Sequence, residues 1–202
     1  MTLHELYMEI DSHLLLDEKP SDYLNEIYGQ PLFSEYPFSM LHALGKTMQS
    51  PVHHPEGNVW NHTMMVVDEA AKLRSKSHQQ RVFMWAALLH DIGKPETTEE
   101  RGGKITSYNH EKVGAELSKK FLSVFTDDDE FIRDVCQLIL YHMQILFVVK
   151  DMRFADVFGI RANTDIRELA LLGLCDRMGR TNSDIAQEKK NIDIFMNKCL
   201  NE

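Results

Sequence analysis

Cysteine is scarce in this 202-residue chain, with only Cys136, Cys175 and Cys199 present. They show no CxxC or other zinc-type spacing and their number is odd, so they read as reduced structural thiols of a reducing compartment. Positive charge is short as well. Against 31 Asp and Glu stand 22 Lys and Arg, a formal net charge of -9, which argues against a protein that holds nucleic acid on a broad basic surface. A local basic pocket for one phosphate stays open. Long apolar runs are missing: residues 138–149, the most apolar late stretch, are interrupted by His142 and Gln144 and are too short to span a bilayer. The N-terminus carries Glu5, Glu9, Asp11 and Asp17 and has no signal-peptide pattern. Neither repeats, low-complexity tracts nor strong strand patterns occur. What is there, 43% hydrophobic residues, is enough for a sizeable core. The expectation is a soluble, cytoplasmic, all-α protein with no membrane partner, either one large domain or one domain with a small extension.

The stretch from Arg81 to Pro95 organises the rest. It opens apolar almost all round, the mark of a helix buried in the middle of a fold, and it ends with Gly93 and Pro95, a helix stop signal. His90 and Asp91 lie side by side at that end. Two strong ligand-type side chains are thus delivered at the mouth of a core helix, where burial without partners is costly. A metal ion would resolve the cost.

Ahead of it, Leu3, Leu6, Ile10 and Leu14 predict a helix over 3–16. Ser21 or Asp22 is expected to cap a short helix to about Tyr28, residues 29–37 form a loop packed by their own side chains, and a short helix covers 38–48. A clear loop over 50–57 leads to a helix over 58–75 whose inward face holds His62, Met65, Val66, Glu69, Ala70 and Leu73. After the central helix, Arg101-Gly102-Gly103-Lys104 marks residues 96–108 as a flexible loop or small hairpin, a natural substrate flap. Asn109 is expected to cap a helix over 110–122, striped by His110, Gly114, Leu117 and Phe121; Gly114 implies close packing against another backbone. Thr126 and the acids after it start a further helix, with Val135, Leu138 and His142 on one stripe. Residues 151–163 read as a loop with a short helix, and Thr164 as the cap of a long one that aligns Leu169, Leu172, Gly173 and Asp176. A last amphipathic helix, 183–199, docks through Ile185, Ile192, Phe195 and Met196.

Each of five successive long helices therefore offers ligand-type residues on its apolar face: His62, the pair His90-Asp91, His110, His142 and Asp176. His62 alone would read as a buried histidine satisfied by a backbone carbonyl. Four histidines and two aspartates together ask for something to bind. Imidazoles with carboxylates suit zinc, iron, manganese, nickel or cobalt. Six ligands suit two ions bridged by one carboxylate, at the roughly 3.5–4 Å separation of two-metal sites.

The order His62 … His90-Asp91 … Asp176 resembles the signature of the HD domain superfamily of metal-dependent phosphohydrolases, over roughly residues 50–180. His110 and His142 match the additional histidines of its dinuclear members. Closer still, residues 54–63, His90-Asp91-Ile92-Gly93-Lys94-Pro95, residues 108–114 and Asp176-Arg177-Met178-Gly179-Arg180 resemble the HD domain attached to bacterial tRNA nucleotidyltransferases, the CCA-adding enzymes. The Gly-Ser motif and paired-aspartate strand of a nucleotidyltransferase head are not found in residues 1–49. The expectation is a free-standing HD domain over 50–202, a compact multi-helix bundle with short loops, with 1–49 as a helical extension packed on it.

The resemblance implies that His62, His90, Asp91 and Asp176 hold a first divalent ion and that Asp91 bridges to a second, bound by His110 and His142. Magnesium joins the transition metals above as a possible cofactor. A water between the ions would be the nucleophile, with Asp91 and Lys94 at the catalytic centre. Lys94, one turn beyond His90, can also reach a phosphoryl oxygen, and Arg177 or Arg180 can clamp a phosphate bidentately. Only one of those two is expected to face inward. His54 and Glu56 are expected mainly to pack their loop, and His4, His13, His42, His53 and His78 to reach no site. The function implied is phosphomonoester or phosphodiester hydrolysis on a small phosphorylated substrate such as a nucleotide or 2′,3′-cyclic nucleotide. The alternatives are an HD-type di-iron oxygenase and a non-catalytic nucleotide sensor.

Overall fold

A computed structural model describes residues 1–201; Glu202, the last residue of the expected 50–202 unit, lies outside them. Helix α1 (Leu3–Leu16) opens on a capping box in which Glu5 N–H donates to Thr2 Oγ1 (3.1 Å) and Thr2 N–H to Glu5 Oε2 (2.7 Å). Leu6, Ile10 and Leu14 are fully buried on one stripe. Neither Ser21 nor Asp22 caps α2 (Pro20–Tyr28). Pro20 fills its first turn, where a missing N–H is harmless, and the Ser21 hydroxyl donates to Asp68 instead (2.7 Å). The helix expected over 38–48 is shorter, α3 (Ser39–His42) running into a 3-10 turn at Ala43–Lys46.

Asn58 caps α4 (Val59–Leu73), its side-chain oxygen accepting from Asn61 N–H at 2.9 Å. Then comes α5 (Gln80–Leu89), buried at every residue from Val82 to Leu89. Pro95 does not merely stop it but sits in the first turn of α6 (Lys94–Thr97). Residues 98–107 form a hairpin, β1 (Thr98–Arg101) antiparallel to β2 (Lys104–Ser107), with Thr98 opposite Ser107. Gly102 and Gly103 turn it at φ of +58° and +74°, the pair of values a tight hairpin turn needs.

Helix α7 (His110–Leu122) is entered through Asn109 at φ +61°, which makes no side-chain cap. A left-handed residue redirects the chain here in place of the expected extended cap. Asp128, not Thr126, caps α8 (Asp129–Tyr141). The six-residue α9 (Gln144–Val149), too short to show a period, was not expected. Beyond α10 (Val157–Asn163), Asp165 rather than Thr164 caps α11 (Ile166–Met178), accepting from the N–H groups of Arg167 and Glu168 at 2.7 and 3.2 Å. In α12 (Ile185–Asn201), Phe195 is buried and Ile192 and Met196 pack on the core, but Ile185 stays 49% exposed and does not dock.

The packing follows from burial. A fully buried Leu or Phe contributes about 1.5–3 kcal/mol, so α5 has the most to gain from being enclosed, and α1, α4, α8 and α11 surround it. α1 shares its core: Trp85 Nε1–H and Arg81 Nε–H both donate to the buried Asp11 carboxylate (2.6 and 2.8 Å). α7 packs on α8, which lies against α5, and α11 packs on both α4 and α12. The result is an all-helical bundle with one small hairpin beside the end of its central helix. Among the described residues no helix is long and apolar enough to cross a membrane.

Candidate metal centre

The C-terminal end of α5 is where ligand-type side chains converge. His90 terminates that helix, and its Nδ1–H donates to Ala87 O, three residues back (2.9 Å). His142 terminates α8 in the same way, donating to Ile139 O (2.7 Å). His110 opens α7 and donates to Ser107 O (2.7 Å). Each backbone carbonyl accepts, so each ring carries its proton on Nδ1 and presents a bare Nε2 lone pair. His62 lies inside α4, fully buried, with Nδ1 3.3 Å from Gly179 O and Nε2 3.1 Å from Asp176 Oδ1.

Those lone pairs gather around Asp91. Its Oδ2 lies 3.2 Å from His90 Nε2 and 3.9 Å from His62 Nε2; its Oδ1 lies 3.4 Å from His110 Nε2. The ligand atoms of His62, His90 and Asp91 fall within 4.8 Å of one another, and so do those of Asp91, His110 and His142. Asp91 is common to both groups, and Asp176 adjoins the first through His62. All six residues expected to ligate are thus brought to one place.

Polar satisfaction within the cluster is incomplete. His90 Nε2 and Asp91 Oδ2 are buried without a hydrogen-bond partner. The Lys94 ammonium lies 2.6 Å from Oδ2 but is aligned as a donor to Gln49 Oε1 (2.6 Å) instead. His110 Nε2 and His142 Nε2 stand 3.2 Å apart, two lone pairs facing each other. Leaving such groups unpaired costs on the order of 1–3 kcal/mol apiece, and a cation among them removes the cost. The donor set of imidazole nitrogen and carboxylate oxygen fits a divalent metal ion.

Protonation agrees with that fit. Burial, then His110 and His90, pushes the His142 imidazole down to about 3, and burial lowers His110. Both rings are neutral at pH 7, the form in which an imidazole can bind a metal. Burial would raise Asp91, but His90 and Lys94 outweigh it and hold the carboxyl well below the usual range. Arg180 and His62 do the same for Asp176. His62 moves the other way: burial works to lower it, and Asp176 and Glu56 more than offset that.

A cavity of about 400 Å³ opens over Asp91, His110, His142 and Asp176. Lys94, Arg177 and Arg180 all line it, so both arginines reach the cavity, not one. They differ in commitment: Arg180 donates to both Asp176 oxygens (3.2 and 3.3 Å), whereas Arg177 has no ion pair. Lys94 is buried, not the exposed helix-end lysine its position also allows. His53, expected to reach no site, lines the cavity together with His54 and Gln49, and Tyr108, Leu146 and Lys150 line it as well. Gln49 had no local signal, since its partner lies 45 residues along the chain. Lys150 follows the unexpected α9, and only the Met143-Leu146-Lys150 spacing hints at a shared face.

A helical bundle that gathers histidines and aspartates from α4, α5, α7, α8 and α11 around the end of its central helix belongs to a defined class. The HD domain model matches residues 59–178, and the chain belongs to the HD domain family. It is similar to the Multifunctional CCA protein of Hahella chejuensis, 37% identical over 82 residues that cover 41% of this chain and 18% of that protein. Multifunctional CCA protein of Pseudomonas fluorescens is 42% identical over 78 residues, 38% of this chain and 17% of the relative. A longer match, to Multifunctional CCA protein of Aromatoleum aromaticum, is 31% identical over 139 residues, 65% of this chain and 32% of the relative. The chain thus spans less than a third of the length of these relatives.

Proposed function

We propose that this protein is a metal-dependent phosphohydrolase acting on a small phosphorylated substrate, a nucleotide or 2′,3′-cyclic nucleotide. The observation that carries the reading is a convergent His/Asp cluster, with buried unpaired ligand atoms, on the floor of a cavity that also holds an unpaired arginine. His62, His90, Asp91 and Asp176 would hold one ion, and Asp91, His110 and His142 a second. Ions bound there supply Lewis acidity, neutralising charge that builds on a phosphoryl oxygen and acidifying water.

The remaining work falls to the chain's own groups. Asp91, ionised and reached by both ligand groups, sets the spacing of the centre. Lys94, held between Gln49 and Asp91, keeps a cation at the cavity wall, where it stabilises negative charge developing in the transition state. Arg177 is free to receive a phosphate with its planar fork, while Arg180 keeps Asp176 oriented. In this reading residues 1–49 extend the 50–202 unit and supply Gln49 to the pocket.

The test is phosphate release from nucleoside monophosphates, 2′,3′-cyclic nucleotides followed by a phosphatase, and p-nitrophenyl esters, with manganese, nickel, cobalt or magnesium. Release by the wild type that is abolished in Asp91→Ala is the expected result. No release from any substrate, with iron found as the bound metal, would overturn hydrolysis in favour of oxygen chemistry.

A further inference from the structure

His62 differs from the other three histidines of the cluster in what stands behind it. His90, His110 and His142 sit at helix ends and each spends Nδ1–H on a carbonyl three residues back. His62 lies within α4, where the preceding carbonyls are taken by the helix itself. Its Nδ1–H is aligned with Gly179 O (3.3 Å), and a carboxylate lies closer still on one side: Glu56 Oε1, at 3.1 Å. The same oxygen accepts from His54 Nδ1–H at 2.8 Å, and the other, Oε2, accepts from Thr181 N–H at 3.4 Å. The Glu56 side chain is only 3% exposed. An ionised carboxylate that deep is retained only against compensating donors, and apart from its own backbone N–H these belong to His62, to the cavity wall and to the turn after α11.

We propose that Glu56 is a positioning residue for His62: its buried carboxylate, shared with His54, holds the Nδ1 edge of the ring outward and turns Nε2 toward Asp91 and Asp176. It thereby ties the metal-facing imidazole to the loop that forms one cavity wall. The inference rests on the reading that the cluster holds metal. A carboxylate behind a ligating imidazole fixes its tautomer and raises its basicity, and losing such a partner typically weakens metal affinity 10–100-fold.

Zinc affinity and stoichiometry, measured by chelator competition on the full chain, decide the matter in Glu56→Ala, Glu56→Gln and wild type, with His110→Ala as a reference for the other ligand group. The expected result is that Glu56→Ala weakens one zinc equivalent 10–100-fold and leaves the equivalent sensitive to His110→Ala unchanged. Glu56→Gln, which keeps an oxygen acceptor for both rings, should recover most of the loss. Melting temperatures of the metal-free proteins separate this from unfolding, and Glu56→Ser, which also removes the carboxylate from both rings, carries the test should Glu56→Ala not fold. Unchanged affinity in Glu56→Ala overturns the positioning role while the metal reading stands. A further equivalent held by wild type and lost in Glu56→Ala would make His54, Glu56 and His62 a metal site in their own right, and also overturns it. A wild type that binds no zinc overturns both.

Discussion

Two arginines three residues apart show how much one contact decides. Both line the cavity, but Arg180 hydrogen-bonds Asp176, whereas Arg177 makes no hydrogen bond or ion pair among the described residues and meets Asp176 only through its charge. A hydrogen bond to a charged group is worth about 1.5–3 kcal/mol, roughly 10–100-fold in binding. Arg177→Ala should therefore raise the KM for a phosphorylated substrate by that order and leave metal content unchanged. Arg180→Ala should lower metal content, because Asp176 loses its hydrogen-bonded guanidinium, the largest of the charges that hold it ionised. Metal analysis beside KM separates the two, and equal metal loss in both variants would refute the division. Glu56 marks a limit at the same scale. As a residue type in a loop it reads as packing, and only its distances to His54 and His62 raise a different role.

Where elements meet, the decisive feature is the crossing of α7 over the end of α5. The stripe His110, Gly114, Leu117, Phe121 implies a close backbone approach at Gly114, and Gly114 is indeed close to Gly93 N and His90 O. The stricter position is its partner. A Cβ on Gly93 would lie 2.2 Å from His110 O and 2.6 Å from Gly114 N, whereas one on Gly114 would meet Ile139 Cγ2 at 3.3 Å. At φ -80° Gly93 is not there for its conformation but for the space. Gly93→Ala should cost about 1–3 kcal/mol or more through overpacking and displace His110 from Asp91. Gly114→Ala should cost less. Urea midpoints of the two variants check the order, and the reverse order would show that the crossing relaxes. The helix caps were less legible than the stripes: Ser21, Asn109 and Thr164 are all acceptable cap residues, but Asp68, a left-handed backbone and the neighbouring Asp165 decide otherwise.

For the whole molecule the buried imidazoles set the response to acid. His142 is held at about 3 and His54, by burial and then Lys94, at about 4, against an ordinary 6.5. The unfolded chain takes protons there that the folded one refuses. Their contribution is complete above pH 6.5 and is lost as the pH falls toward 4 and 3. His110 acts in the same sense. His62, raised on folding, opposes them, adding stability below 6.5 that fades as the pH rises through its folded value. Glu56 is held at about 2 by His62 and His54 against its burial, so its share is lost between about 4.5 and 2. The metal-free protein should melt at a clearly lower temperature at pH 5 than at pH 7. A midpoint equal or higher at pH 5 would mean that His62 dominates.

Much of this protein was settled by its sequence alone. The helical class, the buried α5 and the faces bearing His62, His110, His142 and Asp176 follow from apolar spacing, because a helix repeats within four residues and its inward side is written locally. The HD order needed no coordinates either. Tertiary structure alone decided that Gln49 holds Lys94, that Arg180 and not Arg177 hydrogen-bonds Asp176, that His53 reaches the cavity, and that Glu56 lies beside His62. Those pairings depend on how each helix is rotated and where it crosses its neighbours. That geometry is fixed by the packing of the whole core, and no short stretch of chain encodes it.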